Sequence, residues 1–479
     1  MTSQTTPAMC SRTDRISRLP DDVLHNILSL LPNTEARART SLLSKRFLHL
    51  WAHHPSVLIG DPEILRFLRP SDSDTAAIVG RYQISVDLCL ASLLCPVLQT
   101  LELNLFSSRR SFRWIRSAAG RRVRDLRLSA APSLHLKLPV SIFYCTSLVS
   151  LDLYCCQLPS IRPKFDGFPS LTHLKITGTG DHESLASLLS KCPSLQSLKL
   201  ECCYDLTTLD LSSQTLTDVE LLSCPGLHRV RIDAPNLARF SYCGNVNNIY
   251  LENARRLLDV NLSHFYSGTG VDFATPVQWA RPVRSLSHVS QRLRVNEWFF
   301  RFLLPETTPE PLFGNLKMLH CVVDWVTSSM LNSLAAVLGH CRNLEQLKID
   351  LSCGVRRSVV CFKLLLAQLN MTEEESGTSP DCMDKFEQAL KDDSDQEVWD
   401  PSELPADVTP SLKTIIVNCF VGTPNEMKML EYLVGRSNVL EKISIGDLMM
   451  REREEIHRLI AYIPRASSHV QICEFNMLS

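Results

Sequence analysis

Apolar residues recur along this chain as a fixed triplet, apolar-x-x-apolar-x-apolar. It stands at Leu98-Leu101-Leu103, Val123-Leu126-Leu128, Leu148-Leu151-Leu153, Leu171-Leu174-Ile176 and Leu195-Leu198-Leu200, with first residues 25, 25, 23 and 24 positions apart. The last two apolar residues of each triplet lie on one face of a strand, and the first turns inward from the approach. From Leu195 the rhythm halves: Leu195, Leu206, Leu216, Leu227, Leu237, Val246 and Leu257 are 9 to 11 residues apart. Coils built from two such halves leave little room for a helix, so their return side is expected to be extended. The longer, earlier coils are expected to carry short helices, as at 184–190. The triplet returns at Leu344-Leu347-Ile349, Leu412-Ile415-Val417 and Leu440-Ile443-Ile445, whereas 263–316 is irregular.

A repeat of this period and pattern predicts a leucine-rich-repeat solenoid with a parallel sheet. No single unit can bury its own leucines, so the coils must stack. Residues 14–55 follow a different rule. Val23, Leu24, Ile27, Leu28 and Leu31 are spaced for a helix that opens after Pro20, is favoured by Asp21 and Asp22, and stops at Pro32. A second helix is expected from Thr34 as cap to about Leu43, and a third from Ser44 through Phe47, Leu50 and Trp51, with Lys45 and Arg46 facing solvent. So small a helical core cannot hide all these apolar side chains. The pattern alone therefore leaves two readings open, a module that grips a partner and a cap on the open end of the solenoid.

Composition narrows the function. Of 479 residues, 44% are hydrophobic and 21% charged, with a formal net charge of −1, as in a folded protein rather than a polycation. The chain lacks an apolar run long enough to span a membrane, and the polar start at 1–15 predicts an intracellular protein of nucleus or cytoplasm. The 18 cysteines form no CxxC pair. Cys95, Cys145, Cys192, Cys224 and Cys341 each precede a strand-opening apolar residue by three, which suggests small buried core residues rather than disulfides or zinc ligands. GxxxxGK[ST], HExxH and GxSxG are all absent, and His182-Glu183 lacks a second histidine four residues on. No enzyme activity, cofactor or metal is expected.

Charge is unevenly spread. Residues 371–407 hold 13 Asp/Glu and two Lys, a net of −11, so the remainder carries about +10. That stretch predicts a solvated insertion or a docking site for something basic. Eight arginines (109, 110, 113, 116, 121, 122, 124 and 127) form the sharpest basic cluster. They could contact phosphates but offer no base-reading device. Nucleic-acid binding therefore ranks below contact with an acidic partner or with the 371–407 segment.

The run LPDDVLHNILSLLP…RTSLLSKRFLHLW closely resembles the F-box of plant proteins, through Leu19, Pro20, Ile27, Leu28, Leu43, Ser44, Lys45, Arg46, Phe47 and Trp51, with Phe47 where Trp is commoner. Arg113-Trp114-Ile115, Val123-Arg124-Asp125-Leu126-Arg127-Leu128 and Leu138-Pro139…Cys145-Thr146-Ser147-Leu148 are similar to the first repeats of plant F-box/leucine-rich-repeat proteins. The C-terminal part resembles their FBD domain, through Trp399-Asp400-Pro401, Ser411-Leu412-Lys413, Asn418-Cys419-Phe420, Glu426, Met429-Leu430, Tyr432-Leu433 and Val439-Leu440-Glu441-Lys442-Ile443. The tail Pro464-Arg465-Ala466-Ser467-Ser468…Val470-Gln471-Ile472 fits it too.

The fold implied is α/β: an F-box at 14–55, a linker and first packing segment at 56–94, leucine-rich repeats at 95–370, an acidic insertion at 371–398, and an FBD at 399–475. The resemblance implies an adaptor that docks a Skp1-like protein, and through it a cullin, while the repeats hold an unknown protein substrate for ubiquitination. By it Leu19, Pro20 and Leu24 would face the Skp1-like adaptor, Ile27, Leu28 and Trp51 would divide between core and interface, and Leu43 and Ser44 would sit near the rim. Target contacts are expected on strand positions between the leucines: Asp152, Tyr154, Lys175, Thr177, Lys199, Glu201, Asp210, Glu220 and Arg231. The alternative is a repeat scaffold or ligand sensor with no ligase role.

Overall fold

A computed structural model describes residues 16, 18–59, 73–106, 108–134, 136–160, 165–178, 182–244, 248–263, 289–296, 313–323, 326–351, 398–401, 410–420, 422–447, 463, 466–467 and 470–475. All but the last residue of the expected acidic insertion at 371–398, and most of the irregular 263–316, lie outside these residues. The chain divides into two compact units, 1–194 and 195–479.

The first unit begins with three helices, α1 (Asp21–Ser29), α2 (Thr34–Arg39) and α3 (Lys45–Ala52). Leu24, Leu28, Phe47 and Leu50 form their core, with Leu19 and Leu31 packed against it. The second helix differs in detail from the expectation. Asn33, not Thr34, is its cap and accepts from the Ala36 N–H (2.9 Å), and the helix tightens into a 3₁₀ turn at Thr40–Leu42. Ser44 caps α3 by accepting from the Phe47 N–H (3.3 Å). Arg46 does not point to solvent: it pairs with Asp21 (Nε–Oδ1 2.9 Å) and donates to the Leu19 carbonyl (2.6 Å), tying α3 to the start of α1.

Beyond the helices run β1 (Ser56–Leu58), α4 (Ser73–Ser92), β2 (Thr100–Leu105), α5 (Ser108–Gly120) and β3 (Asp125–Ala130). Then come β4 (Leu136–Lys137), β5 (Ser150–Tyr154), β6 (Cys156–Gln157), β7 (His173–Thr177) and α6 (His182–Leu189). The strands pair in parallel in the order β1-β2-β3-β5-β7, with β4 and β6 paired separately. The sheet therefore starts at residue 56, inside the stretch read as a linker, and a 20-residue helix follows there. Tyr82 and Asp87 of α4 fasten the first coils. The Asn104 N–H donates to the Tyr82 hydroxyl (2.7 Å), and Asp87 accepts from Trp114 Nε1 (2.7 Å) and Arg110 (2.7 Å).

The second unit holds β8 (Ser197–Glu201), β9 (Thr208–Ser212), β10 (Asp218–Leu222), β11 (Arg229–Asp233), β12 (Arg239–Cys243), β13 (Asn248–Glu252) and β14 (Asp259–Ser263). It continues with β15 (Arg292–Asn296), β16 (Met318–Val323), α7 (Ser328–Gly339), β17 (Gln346–Leu351), β18 (Thr414–Phe420), α8 (Pro424–Gly435), β19 (Lys442–Asp447) and β20 (Gln471–Phe475). Its long ladder runs β8-β10-β12-β14-β15-β16-β17-β18-β19-β20, and β9-β11-β13 form a second parallel sheet. The halved rhythm is thus two-sided: alternate triplets build the two sheets, and the return side is extended as its spacing requires.

One turn recurs at the approach to the strands. The Leu148 N–H donates to the Cys145 carbonyl (3.1 Å), Leu227 to Cys224 (3.2 Å) and Leu344 to Cys341 (3.2 Å), while Phe168, Ala234 and Phe313 serve Leu171, Leu237 and Leu316 in the same way. Cys95, Cys145, Cys192, Cys224 and Cys341 are all buried free thiols. Burial pushes Cys145 and Cys341 up to about 12, which leaves them inert. Strands end on a residue in the left-handed region: Cys155 (φ 52°), Cys202 (φ 53°), Ser223 (φ 54°), Asn253 (φ 56°) and Gly178 (φ 84°). At Gly178 a Cβ would lie 2.6 Å from the Cys155 sulfur, so that turn requires glycine.

Candidate functional site

The helical head presents apolar side chains that its own core does not use. Leu30 is 84% exposed, Leu42 87% and Leu43 70%, and Val23, Ile27 and Leu48 are exposed beside them. Helical geometry explains the split. Leu24 and Leu28 form the inward stripe of α1, and Leu31, just past its end, packs against them, while Leu30 at the C-cap is left exposed. Leu42 and Leu43 ride on the tight turn between α2 and α3.

Of the head residues predicted from sequence, Leu24 is corrected: it is fully buried and holds the helices together rather than facing outward. Leu28 is likewise core. Leu19 is half-buried, Pro20 is exposed as the cap of α1, and Ile27 and Leu43 are exposed. Ser44 spends its hydroxyl on the α3 cap. Trp51 is half-buried and lines a cavity of about 550 Å³ with Thr34, Leu58, Ile78 and Tyr82. Sequence reasoning missed Leu30, Leu42 and Leu48. The available signal was a leucine lying off the helical stripe.

A different set of head residues closes the open edge of β1. Arg37 is almost fully buried and donates to the carbonyls of Leu28 (3.0 Å), Leu31 (3.2 Å) and Ser56 (3.0 Å). The Leu58 N–H donates to the Thr34 hydroxyl (2.6 Å). An unpaired strand edge is a liability, and here two side chains of α2 satisfy it. Burial lowers the Arg37 guanidinium below its ordinary value. Burial, aided by the Arg37 charge, lowers His54 to about 4.

The open face of the sheet is a ladder of paired charges. Glu102, Arg127, Asp152 and Lys175 stand in register on β2, β3, β5 and β7, alternating in sign, with contacts of 3.5 Å (Arg127–Glu102) and 3.8 Å (Lys175–Asp152). In the second unit Lys199 pairs with Glu220 (2.8 Å). Tyr154 is exposed, Glu201 half-buried and Thr177 buried. Asp210 and Arg231 do not share that face. They lie on the return strands β9 and β11, where Arg231 bonds Glu252 (2.9 and 3.0 Å). Seven of the nine candidate positions therefore stand on β5, β7, β8 and β10, and two on the return strands β9 and β11. Further along, His320 (2.6 Å) and Asn418 (2.6 Å) bond the Asp350 carboxylate and bridge β16, β17 and β18. Burial alone would raise Asp350, but these bonds and the Lys348 charge hold it below its ordinary value.

The FBD-like signature also has a physical reading. Trp399 donates from Nε1 to Asn332 (2.8 Å) and from its N–H to Asn425 (2.9 Å), and its ring meets Tyr432 edge-on at 5.1 Å. Thr423 and the buried Glu426 form a capping box on α8. These residues seat the chain after the acidic stretch and start the helix of the next coil. β18 pairs with β17 and β19 with β18, so this part extends the ladder of the second unit.

A head of this kind on a repeating parallel sheet defines an F-box protein built on leucine-rich repeats. Family models agree: F-box domain over residues 16–58, "FBD-associated F-box protein At5g56370, LRR repeats" over 111–263, and FBD over 400–445. The chain is 30% identical over 244 residues to F-box/LRR-repeat protein 25 of Arabidopsis thaliana, covering 48% of this chain and 86% of that protein. It is 25% identical over 500 residues to F-box/LRR-repeat protein At5g54820 of the same plant, covering 96% of this chain and 97% of that one. It spans less than half (45%) of F-box/LRR-repeat protein 13, also from Arabidopsis thaliana, at 32% identity over 216 residues and 42% of this chain. The chain belongs to the plant F-box/LRR-repeat family with a C-terminal FBD. Among the described residues no helix is long and apolar enough to cross a membrane, and no His/Cys/Asp/Glu group could hold a metal.

Proposed function

We propose that the protein is the substrate-recognition adaptor of a Skp1-cullin-F-box ubiquitin ligase, with no chemistry of its own. The supporting observation is the set of exposed leucines on the head, Leu30, Leu42 and Leu43, lying beside rather than within its core. Such a surface suits burial against another helical protein, here a Skp1-like adaptor and through it a cullin. The repeats would then raise the effective concentration of a bound target near the charged ubiquitin carrier.

The test is co-purification of the full chain with a Skp1-like protein. Replacing Leu42 and Leu43 together by Ser removes two apolar anchors without touching the core. A single anchor of this sort is worth about 2 kcal/mol or more, so affinity should drop by at least about thirtyfold while thermal unfolding is unchanged. Undiminished binding by that folded variant would remove those leucines from the interface.

The clasp of Arg37 and Thr34 on β1 favours a second role for the same head, as a cap on the first unit's sheet. A protein that capped its repeats but bound no Skp1-like partner would be a scaffold or sensor, and the same co-purification separates the two.

A further inference from the structure

The arginine cluster divides into two groups in the fold. Arg110 is taken by Asp87, Arg121 by the Leu90 carbonyl (3.1 Å) and the Ser117 hydroxyl, and Arg127 by Glu102. The side chains of Arg109, Arg113, Arg116, Arg122 and Arg124 are exposed and have no hydrogen-bond or ion-pair partner among the described residues. The first three lie on the outward face of α5. Ser111, Trp114, Ile115 and Ala118 occupy its buried face. Phe112 is exposed among the outward arginines. Arg122 turns the chain out of the helix in the left-handed region (φ 48°), which sets it and Arg124 just past the helix end.

This stripe works against the helix that carries it. The first turn of α5 holds Arg109 and Arg110 and no acid, so it opposes the helix dipole, and Arg109 and Arg113 repel one turn apart. Asp87 and Glu102 are already engaged, and Asp125, next to Arg124, stands on β3 rather than on the helix. Arg109, Arg113 and Arg116 are thus left without a paired acid among the described residues.

We propose that the outward face of α5 is a docking surface for an acidic segment of a partner polypeptide. Every cation in the patch is Arg, whose planar fork binds carboxylates bidentately. Arg109, Arg113 and Arg116 span about 10 Å of helix, the reach of a few residues of extended peptide. A lone exposed ring at Phe112 accommodates one apolar side chain of that segment. A single-stranded nucleic acid would instead call for a row of rings on which successive bases stack.

The test uses the purified full chain and a fluorescent Glu/Asp-rich peptide carrying one Phe. Its Gln/Asn counterpart and single-stranded and duplex oligonucleotides of equal charge serve as the other arms. The acidic peptide should bind, more weakly as salt rises, and its neutral counterpart should not. R109Q/R113Q/R116Q, all at exposed positions, should weaken binding roughly tenfold with unchanged thermal unfolding. Phe112→Ala should weaken it less. Equal affinity in the triple variant, equal binding of the neutral peptide, or tighter binding of either oligonucleotide would each overturn the assignment. None of these outcomes depends on Skp1-like binding, so this surface and the ligase role stand or fall separately.

Discussion

The helical head and the open face of the sheet treat their conspicuous residues in opposite ways. The head leaves Leu30, Leu42 and Leu43 in water, while the sheet face matches Glu102, Arg127, Asp152 and Lys175 into alternating pairs. Apolar area left in contact with water is a standing driving force for association. A charge already opposite its complement has its field largely spent at home. The exposed leucines of the head thus carry a larger unspent driving force for association than the charges between the repeat leucines do.

That contrast depends on separating core from surface within the head, and the sharpest way to break it is Leu24→Ala. Truncating a buried leucine costs about 2–5 kcal/mol, a large share of what so small a helical core supplies. Circular dichroism and proteolysis should show the head loosened, with Skp1-like binding lost as a consequence of unfolding. If Leu24→Ala left the head folded but abolished binding, Leu24 would be an interface residue after all and the division would be wrong.

Arg37 sharpens the comparison from the other side, because it joins head to sheet. Its removal strands the carbonyls of Leu28, Leu31 and Ser56 in a buried place. Arg37→Ala should cost about 1–3 kcal/mol by denaturant titration, the usual penalty for orphaned buried polar groups. Hydrogen exchange at Leu58, whose N–H is held by Thr34, should accelerate. Protection unchanged at Leu58 would mean that the edge is secured by something else.

His54 predicts how the same joint responds to acid. Its folded value of about 4 lies below the ordinary 6.5, so the unfolded chain binds the extra proton between those limits. Its contribution to stability is complete above about pH 6.5 and is lost as pH falls toward 4. His54→Asn keeps an acceptor near the Ser56 N–H and removes the titration, so its urea midpoint should vary less between pH 7 and pH 5 than that of the parent. A parallel pH dependence in both proteins would exclude His54 as the source.

The joint also shows where the fold was legible and where it was not. Triplets with aliphatic residues at all three positions are legible directly, and their described leucines are buried from Leu98 to Leu440 except the half-buried Leu211 of β9. The strand at 56–58 was hidden because His54 occupies the first triplet position ahead of Val57 and Ile59. The strand at 292–296 was hidden because Ser290 stands there, bonding its N–H to the Leu257 carbonyl (3.1 Å) where an apolar side chain would pack. Leu316-Leu319-Cys321 escaped notice because its third residue is a cysteine, although all three are buried. Helix α4 has no clean stripe: Tyr82, Val86 and Cys89 face inward while Ile84 and Leu88 are exposed. The motif that revealed the head mixed Leu24 and Leu28 with Ile27 and Leu43. A linear motif records which residues recur, and only the turn of the helix separates those that pack from those left open.

The smallest effect tests the sheet side of the comparison. Asp152 and Lys175 face each other across β5 and β7 at 3.8 Å, both partly exposed. Opposed charges on neighbouring strands contribute roughly 0.2–1 kcal/mol. A double-mutant cycle with Asp152→Ala and Lys175→Ala should return a coupling energy in that range, shrinking as salt rises. Single variants should then be slightly less stable than the double variant would imply by addition, since each loses the pair while keeping one of its charges. Were the coupling absent while binding of a captured target fell sharply with either single change, the pair would belong to recognition rather than to the ladder. The matching of charge across strands would then be the surface's bait, held in register for a partner of the same alternating pattern.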